Sequence, residues 1–172
     1  MDAIDCLMTR RSIKSYTDRM VDDETLWKIL DAGTMAPTAK NLQSPVILCV
    51  KNKKIRDKMS SLNAKVLGTE SDPFYGAPIV LVVLADRNNP NHVYDGSLVM
   101  GNLLTAAHAL GVSACWINRA KEVFDSEEGK KLLKDLGVDG DLEGIGNCVL
   151  GYSDKDIPKA KPRKPDYIML VE

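Results

Sequence analysis

The sequence has 172 residues, 44% of them apolar and 27% charged, which predicts one folded domain over 1–172 with a core of its own. Its 23 basic and 24 acidic residues leave a formal charge of −1, so it lacks the broad positive field on which nucleic-acid binding depends. Collagen-like, disordered and coiled-coil classes fail on composition. The longest apolar run, Ala77 to Ala85, is nine residues, against the ~20 of a membrane-spanning helix.

In chain order, residues 2 to about 11 predict a short helix capped by Asp2, with Ile4, Leu7 and Met8 at helical spacing. A second helix starts near Asp22, carries Asp23 and Glu24 at the positive end of its dipole, buries Leu26, Ile29 and Leu30, and is ended by Pro37. Pro45 to Val50 predicts a strand, and the lysine-rich stretch from Asn52 to about Lys65 a surface helix. The turn-rich joint Pro73 to Pro78 precedes a strand, Ile79 to Leu84. Its unbroken apolar run predicts burial on both faces, in the middle of a helix-covered sheet.

A helix over about Asp95 to Leu110 is apolar nearly all round, so it is either central in its domain or sealed by another subunit. Val112 to Asn118 predicts a strand, and Asp125-Ser126-Glu127-Glu128 a capping box opening a helix that ends at Gly137. Ile145 to Gly151 predicts a further strand. The tail interleaves Pro158, Pro162 and Pro165 with basic residues before a β-like end, Tyr167 to Val171, that needs a sheet edge in this subunit or in a partner. Strands and helices mix without strict alternation, which points to an α/β or α+β fold.

Cys6, Cys49, Cys115 and Cys148 form no CxxC pair, so neither a zinc site nor a thioredoxin motif is indicated. The N-terminus puts acids before a short apolar stretch and arginines after it, the reverse of a secretory signal, so a cytoplasmic location is expected. His108, in the apolar helix, reads as a core residue. The serine-hydrolase, HExxH and Walker A motifs are missing, so any enzyme activity would rest on a bound cofactor.

Four segments could bind one. Arg10-Arg11-Ser12-Ile13-Lys14-Ser15-Tyr16 groups cations and hydroxyls, as an anion site or as a solvated cluster at a helix C-terminus. Ala36 to Pro45 is either a rigid polar loop that admits a flat ligand or a plain helix-to-strand connection. Gly111 to Asn118 could present backbone groups to a ring or pack Trp116 into the core. Lys161-Pro162-Arg163-Lys164 is a rigid cationic arm or a solubilising tail.

In this order and at these separations, RRSIKSY, APTAKNLQSP, GAPIVLVV, MGNLLTAAHALGVSACWIN and KPRKP together resemble the nitroreductase family of flavin enzymes over nearly the whole chain. The resemblance implies an α+β homodimer with a helix-covered, mainly antiparallel sheet, an exchanged C-terminal arm from about 158 to 172, and FMN at the subunit interface. It implies that Arg10 and Ser12 hold the phosphate and ribityl end, and that Lys14 faces the N1/O2 edge of the ring. Arg11 lies within the same motif. Pro37, Thr38, Ala39 and Asn41 resemble the loop that reaches the flavin from the other subunit; Trp116, Ile117 and Asn118 resemble the strand end beside the ring. Lys161 and Arg163 match the C-terminal phosphate clamp. The implied activity is ping-pong transfer of hydride from NADH or NADPH through FMN to a small electron-poor acceptor such as a nitroaromatic or quinone. No residue of the chain acts as acid or base; the alternative is an FMN-binding module that does not turn over. Two departures stand out: Arg119 occupies a position where many relatives have glycine, and the chain lacks the helical excursion that covers the site in larger members.

Overall fold

A computed structural model describes residues 1–172. Each helix begins where a short polar side chain can take an otherwise unpaired amide. Asp2 caps α1 (Ala3–Thr9), Asp22 caps α2 (Asp23–Thr34), Asn52 caps α3 (Lys53–Leu67) and Ser126 caps α6 (Glu127–Asp135). The remaining two helices, α4 (His92–Ala109) and α5 (Ala120–Asp125), start without a side-chain cap. α2 closes ahead of Pro37, α4 begins one turn earlier than the sequence predicts, and α5 has no counterpart among the predicted elements.

Strands β1 (Pro45–Val50), β2 (Ile79–Asp86), β3 (Ser113–Ile117) and β4 (Leu142–Gly151) form one antiparallel sheet in the order β1-β2-β4-β3. The run in β2 is unbroken because both of its faces are covered. Ile79, Leu81 and Val83 join the core under α2 and α4, whereas Val80, Val82 and Leu84 join the core under α3, α5 and α6. All six are 0% exposed. The fold is α+β, as expected.

Two expectations change. On α1 the apolar stripe faces outward: Ile4, Leu7 and Met8 are 69%, 61% and 71% exposed, and Cys6 is the residue that docks, its thiol donating to the Thr105 carbonyl. His108 lies at the edge of the core, with Nε2 2.9 Å from Thr9 Oγ1 on the last turn of α1. Burial, then the nearby Arg10 and Arg11, holds its pKa below the usual imidazole value. Of the two places expected for Tyr167 to Val171, the sheet of its own chain is not taken up: the segment pairs with no strand there, and Ile168 to Val171 are at least 80% exposed.

Candidate functional site

Arg10 ends α1, and the chain then runs extended along the outer edge of β3, where Ser12 pairs with Ala114 in parallel and the Ile13 amide donates to the Ala114 carbonyl. Extended backbone alternates its side chains, so Arg10, Ser12 and Lys14 share one side while Ile13 turns into the protein, 8% exposed. Arg11 is committed elsewhere: its Nη1 donates to the carbonyls of Met8 and Arg10 at 2.9 and 2.7 Å, which satisfies groups left over at the end of α1. Lys14 Nζ sits 5.8 Å from the centre of the Tyr75 ring.

Arg10 Nη1 is buried without any partner. A guanidinium N–H in that state is costly, and an anion is what would satisfy it. No carboxylate offsets these cations; their partners are backbone carbonyls, an aromatic ring or, for Arg10 Nη1, none. The Cys115 thiol lies behind the cluster, where burial raises its pKa against a hydrogen bond with Ser12 and the charges of Lys14 and Arg10. A cleft of about 190 Å³ opens beside Arg10, bounded by His108, Ser113 and Ile157.

At the far end of β3, Trp116 is half-buried and its Nε1 also lacks a partner. It fits because the facing residue is Gly146: a Cβ there would come 2.5 Å from that nitrogen. Ile117 is core. The exposed Asn118 offers its carbonyl to Asn63 Nδ2 at 2.8 Å, and Arg119 Nε donates to Asn63 Oδ1 at 3.0 Å. Buried Asn63 therefore clamps both sides of the turn after β3. Arg119 adopts φ +72, the left-handed region that glycine favours, so the turn keeps the glycine-type geometry despite the substitution.

The loop from Ala36 to Pro45 lies at the opposite edge of the sheet, because it feeds β1. Lys40, Asn41 and Gln43 all have positive φ, a concentration of strained backbone that marks a segment held by its surroundings. The holding group is Asp95, 3% exposed in the first turn of α4. Its carboxylate accepts from the Ala39 amide at 3.0 Å and from Asn89 Nδ2 at 2.9 Å, and Asn89 also donates to Ser44. Thr38 Oγ1 accepts from the Gln43 amide. A cleft of about 400 Å³ lies between this loop, α2 and β1.

The chain thus brings Arg10, Ser12 and Lys14 together with the strand of Trp116, Ile117 and Asn118. It does not bring Pro37, Thr38, Ala39 or Asn41 to them: β1 and β3 are three strand spacings apart, ~14 Å. Lys161 and Arg163 lie exposed on the tail, with no hydrogen bond or ion pair to the rest of the chain. Asn63, Asp95 and Tyr75 escaped the sequence reading. No local pattern in the sequence signals them: Asn63 and Asp95 meet their partners across 55 and 56 residues.

The nitroreductase family model matches residues 7–152, from α1 through the end of the sheet. A protein of Archaeoglobus fulgidus, provisionally named NADH dehydrogenase/NAD(P)H nitroreductase, is 32% identical over 176 positions, spanning 97% of this chain and 96% of its own. The FMN reductase [NAD(P)H] of Bacillus subtilis is 34% identical over 187 positions, covering 95% of this chain and 70% of that protein. The crystal structure of a Bacteroides fragilis nitroreductase with bound FMN superposes with a TM-score of 0.90 at 25% identity, over 100% of both chains. Sequence and architecture agree from the cation cluster to the last strand, and the chain belongs to the nitroreductase family.

Proposed function

We propose that two copies of this chain form an FMN-dependent oxidoreductase that draws hydride from NADH or NADPH and delivers it to a small electron-poor acceptor. The observation that carries this reading is the buried, partnerless Arg10 Nη1 within an uncompensated cation cluster. It fits the phosphate of FMN, which the Bacteroides fragilis relative contains. Bound there, FMN would supply ping-pong hydride transfer at its N5 to acceptors such as nitroaromatics and quinones.

The chain's own groups have simple tasks. Arg10 and Ser12 bind the phosphate and ribityl end, with Arg11 adding charge while it caps α1. Lys14 would face the N1/O2 edge and stabilise negative charge there. Trp116, Ile117 and Asn118 pack beside the ring, their position fixed by Asn63. Pro37, Thr38, Ala39 and Asn41 complete the site from the second copy, and Lys161 and Arg163 close its phosphate end.

Unpartnered apolar surface supports the homodimer. Tyr94 and Leu98 on α4 are 71% and 48% exposed, adding to the outward stripe of α1 and the apolar tail. A monomer rarely leaves that much uncovered. Four free cysteines suit the reducing cytoplasm, where both nicotinamide donors are available.

The test is to purify the protein without added flavin, record its visible spectrum, and add NADH or NADPH anaerobically, followed by menadione. A yellow protein that bleaches and then recovers its colour supports the reading. Colour that neither donor bleaches would make it a flavin-holding module, and a colourless protein that takes up no FMN overturns it. Arg10→Ala should remain folded and bind FMN about 10- to 100-fold more weakly, the loss of one charge-assisted contact.

A further inference from the structure

The turn Asp72 to Ala77, between α3 and β2, carries an aromatic residue in an unfavourable backbone state. Tyr75 has φ +55 and the next residue, Gly76, has φ +78. Glycine reaches this region freely; a residue with a Cβ does not. The turn is nevertheless over-determined. The Asp72 carboxylate accepts from the amides of Phe74 and Gly76, at 2.9 and 2.8 Å, and from Arg56 and Ser60. Arg56 Nε donates to the Ala77 carbonyl at 2.9 Å, and the Tyr75 amide donates to the Asp72 carbonyl at 3.1 Å.

This network fixes two aromatic residues in opposite senses. Phe74, 1% exposed, plugs the core beneath. Tyr75 is left 38% exposed, its ring facing the Lys14 ammonium at 5.8 Å. The core does not require that ring, and glycine would hold the same backbone without strain. A rigid, half-open phenol beside Lys14 is a flat surface held ready for another flat surface.

We propose that Tyr75 is a substrate-positioning residue: its ring forms one wall of the acceptor site, against which a planar electron-poor aromatic stacks, and it steadies the Lys14 ammonium by a cation–π contact. The inference rests on the function proposed above. Offset stacking on an electron-rich ring favours an electron-poor planar partner, which fits the acceptors named there.

Tyr75→Gly and Tyr75→Phe test it in the flavin-loaded protein. Binding of 4-nitrobenzoate to the oxidised protein, without donor, is read from the flavin absorbance. Steady-state kinetics with menadione give KM and kcat separately. In Tyr75→Gly the 4-nitrobenzoate dissociation constant and the menadione KM should both rise about 3- to 10-fold. Tyr75→Phe should restore both to within about twofold, since the ring face persists. In flavin-free protein, Tyr75→Gly should unfold at the wild-type temperature or slightly above it, because glycine relieves the left-handed φ. Unchanged 4-nitrobenzoate binding in Tyr75→Gly would overturn the proposal, as would a fall in its unfolding midpoint beyond about 4 °C, which would make the ring a packing element. A wild-type protein that takes up no flavin overturns both this inference and the function beneath it. A yellow, reducible wild type with a silent Tyr75→Gly overturns this inference alone.

Discussion

Arg119 and Asp72 show how single residues hold the turns around the site. A left-handed residue with a Cβ costs about 1–2 kcal/mol, and at Arg119 the bond from its Nε to buried Asn63 offsets part of that. Arg119→Ala keeps the strain and loses the bond, so it should destabilise the fold by about 1–2 kcal/mol. Arg119→Gly loses the bond but relieves the strain, and should stay within about 0.5 kcal/mol of wild type. Urea unfolding of the two variants checks the order, and a glycine variant weaker than the alanine one would contradict it. At Asp72, burial acts to raise the pKa, but hydrogen bonds from Ser60, Arg56 and the amides of Gly76 and Phe74 prevail and hold it below the ordinary 3.8. A carboxylate whose pKa is depressed by folding stabilises the fold above its unfolded pKa and loses that contribution as pH falls through the folded value. The acid limb of the unfolding temperature should therefore flatten in Asp72→Asn, measured from about pH 6 down to pH 2.

Among the elements, the loop before β1 depends on the first turn of α4. Asp95→Ala would strand the Ala39 amide and one Asn89 donor, and should cost about 2–3 kcal/mol. The same change should speed hydrogen exchange at the Ala39 amide, while amides of β2 stay protected in the native state. This dependence also marks the boundary of what sequence discloses. Caps such as Asp2, Asp22 and Ser126 were legible because a cap acts within three residues. The central place of β2 was legible because burial on both faces removes the polar alternation. Arg10, Ser12 and Lys14 were legible as a group only through the family resemblance; that they share one side follows from the extended backbone, which the sequence did not announce. Asp95 and Asn63 were not legible, since they meet Ala39 and Asn118 across 56 and 55 residues and no local pattern pairs them. The stripe of α1 predicted a helix correctly but not its facing: the docked residue is a single cysteine, and Ile4, Leu7 and Met8 stay exposed. α5 escaped notice because it has six residues, no side-chain cap and a left-handed Arg119 before it.

At the scale of the whole molecule, the core under α2 and α4 ends at Tyr152 and the other at Val149, and everything beyond Tyr152 is exposed apart from half-buried Ser153. A chain stopped after Ser153 should therefore keep its fold, by circular dichroism, yet sediment as a monomer and fail to retain FMN. A truncated chain that still sedimented as a dimer would show that the tail is dispensable for pairing. The separation of the Arg10 cluster from the Ala36–Pro45 loop, on opposite borders of one sheet, has a genetic consequence for a twofold assembly. Each flavin pocket would take its cations from one copy and its loop from the other. Two impaired alleles, Arg10→Ala and Asp95→Ala, would then rescue each other when co-expressed, because every mixed pair gathers both lesions into one pocket and leaves the second intact.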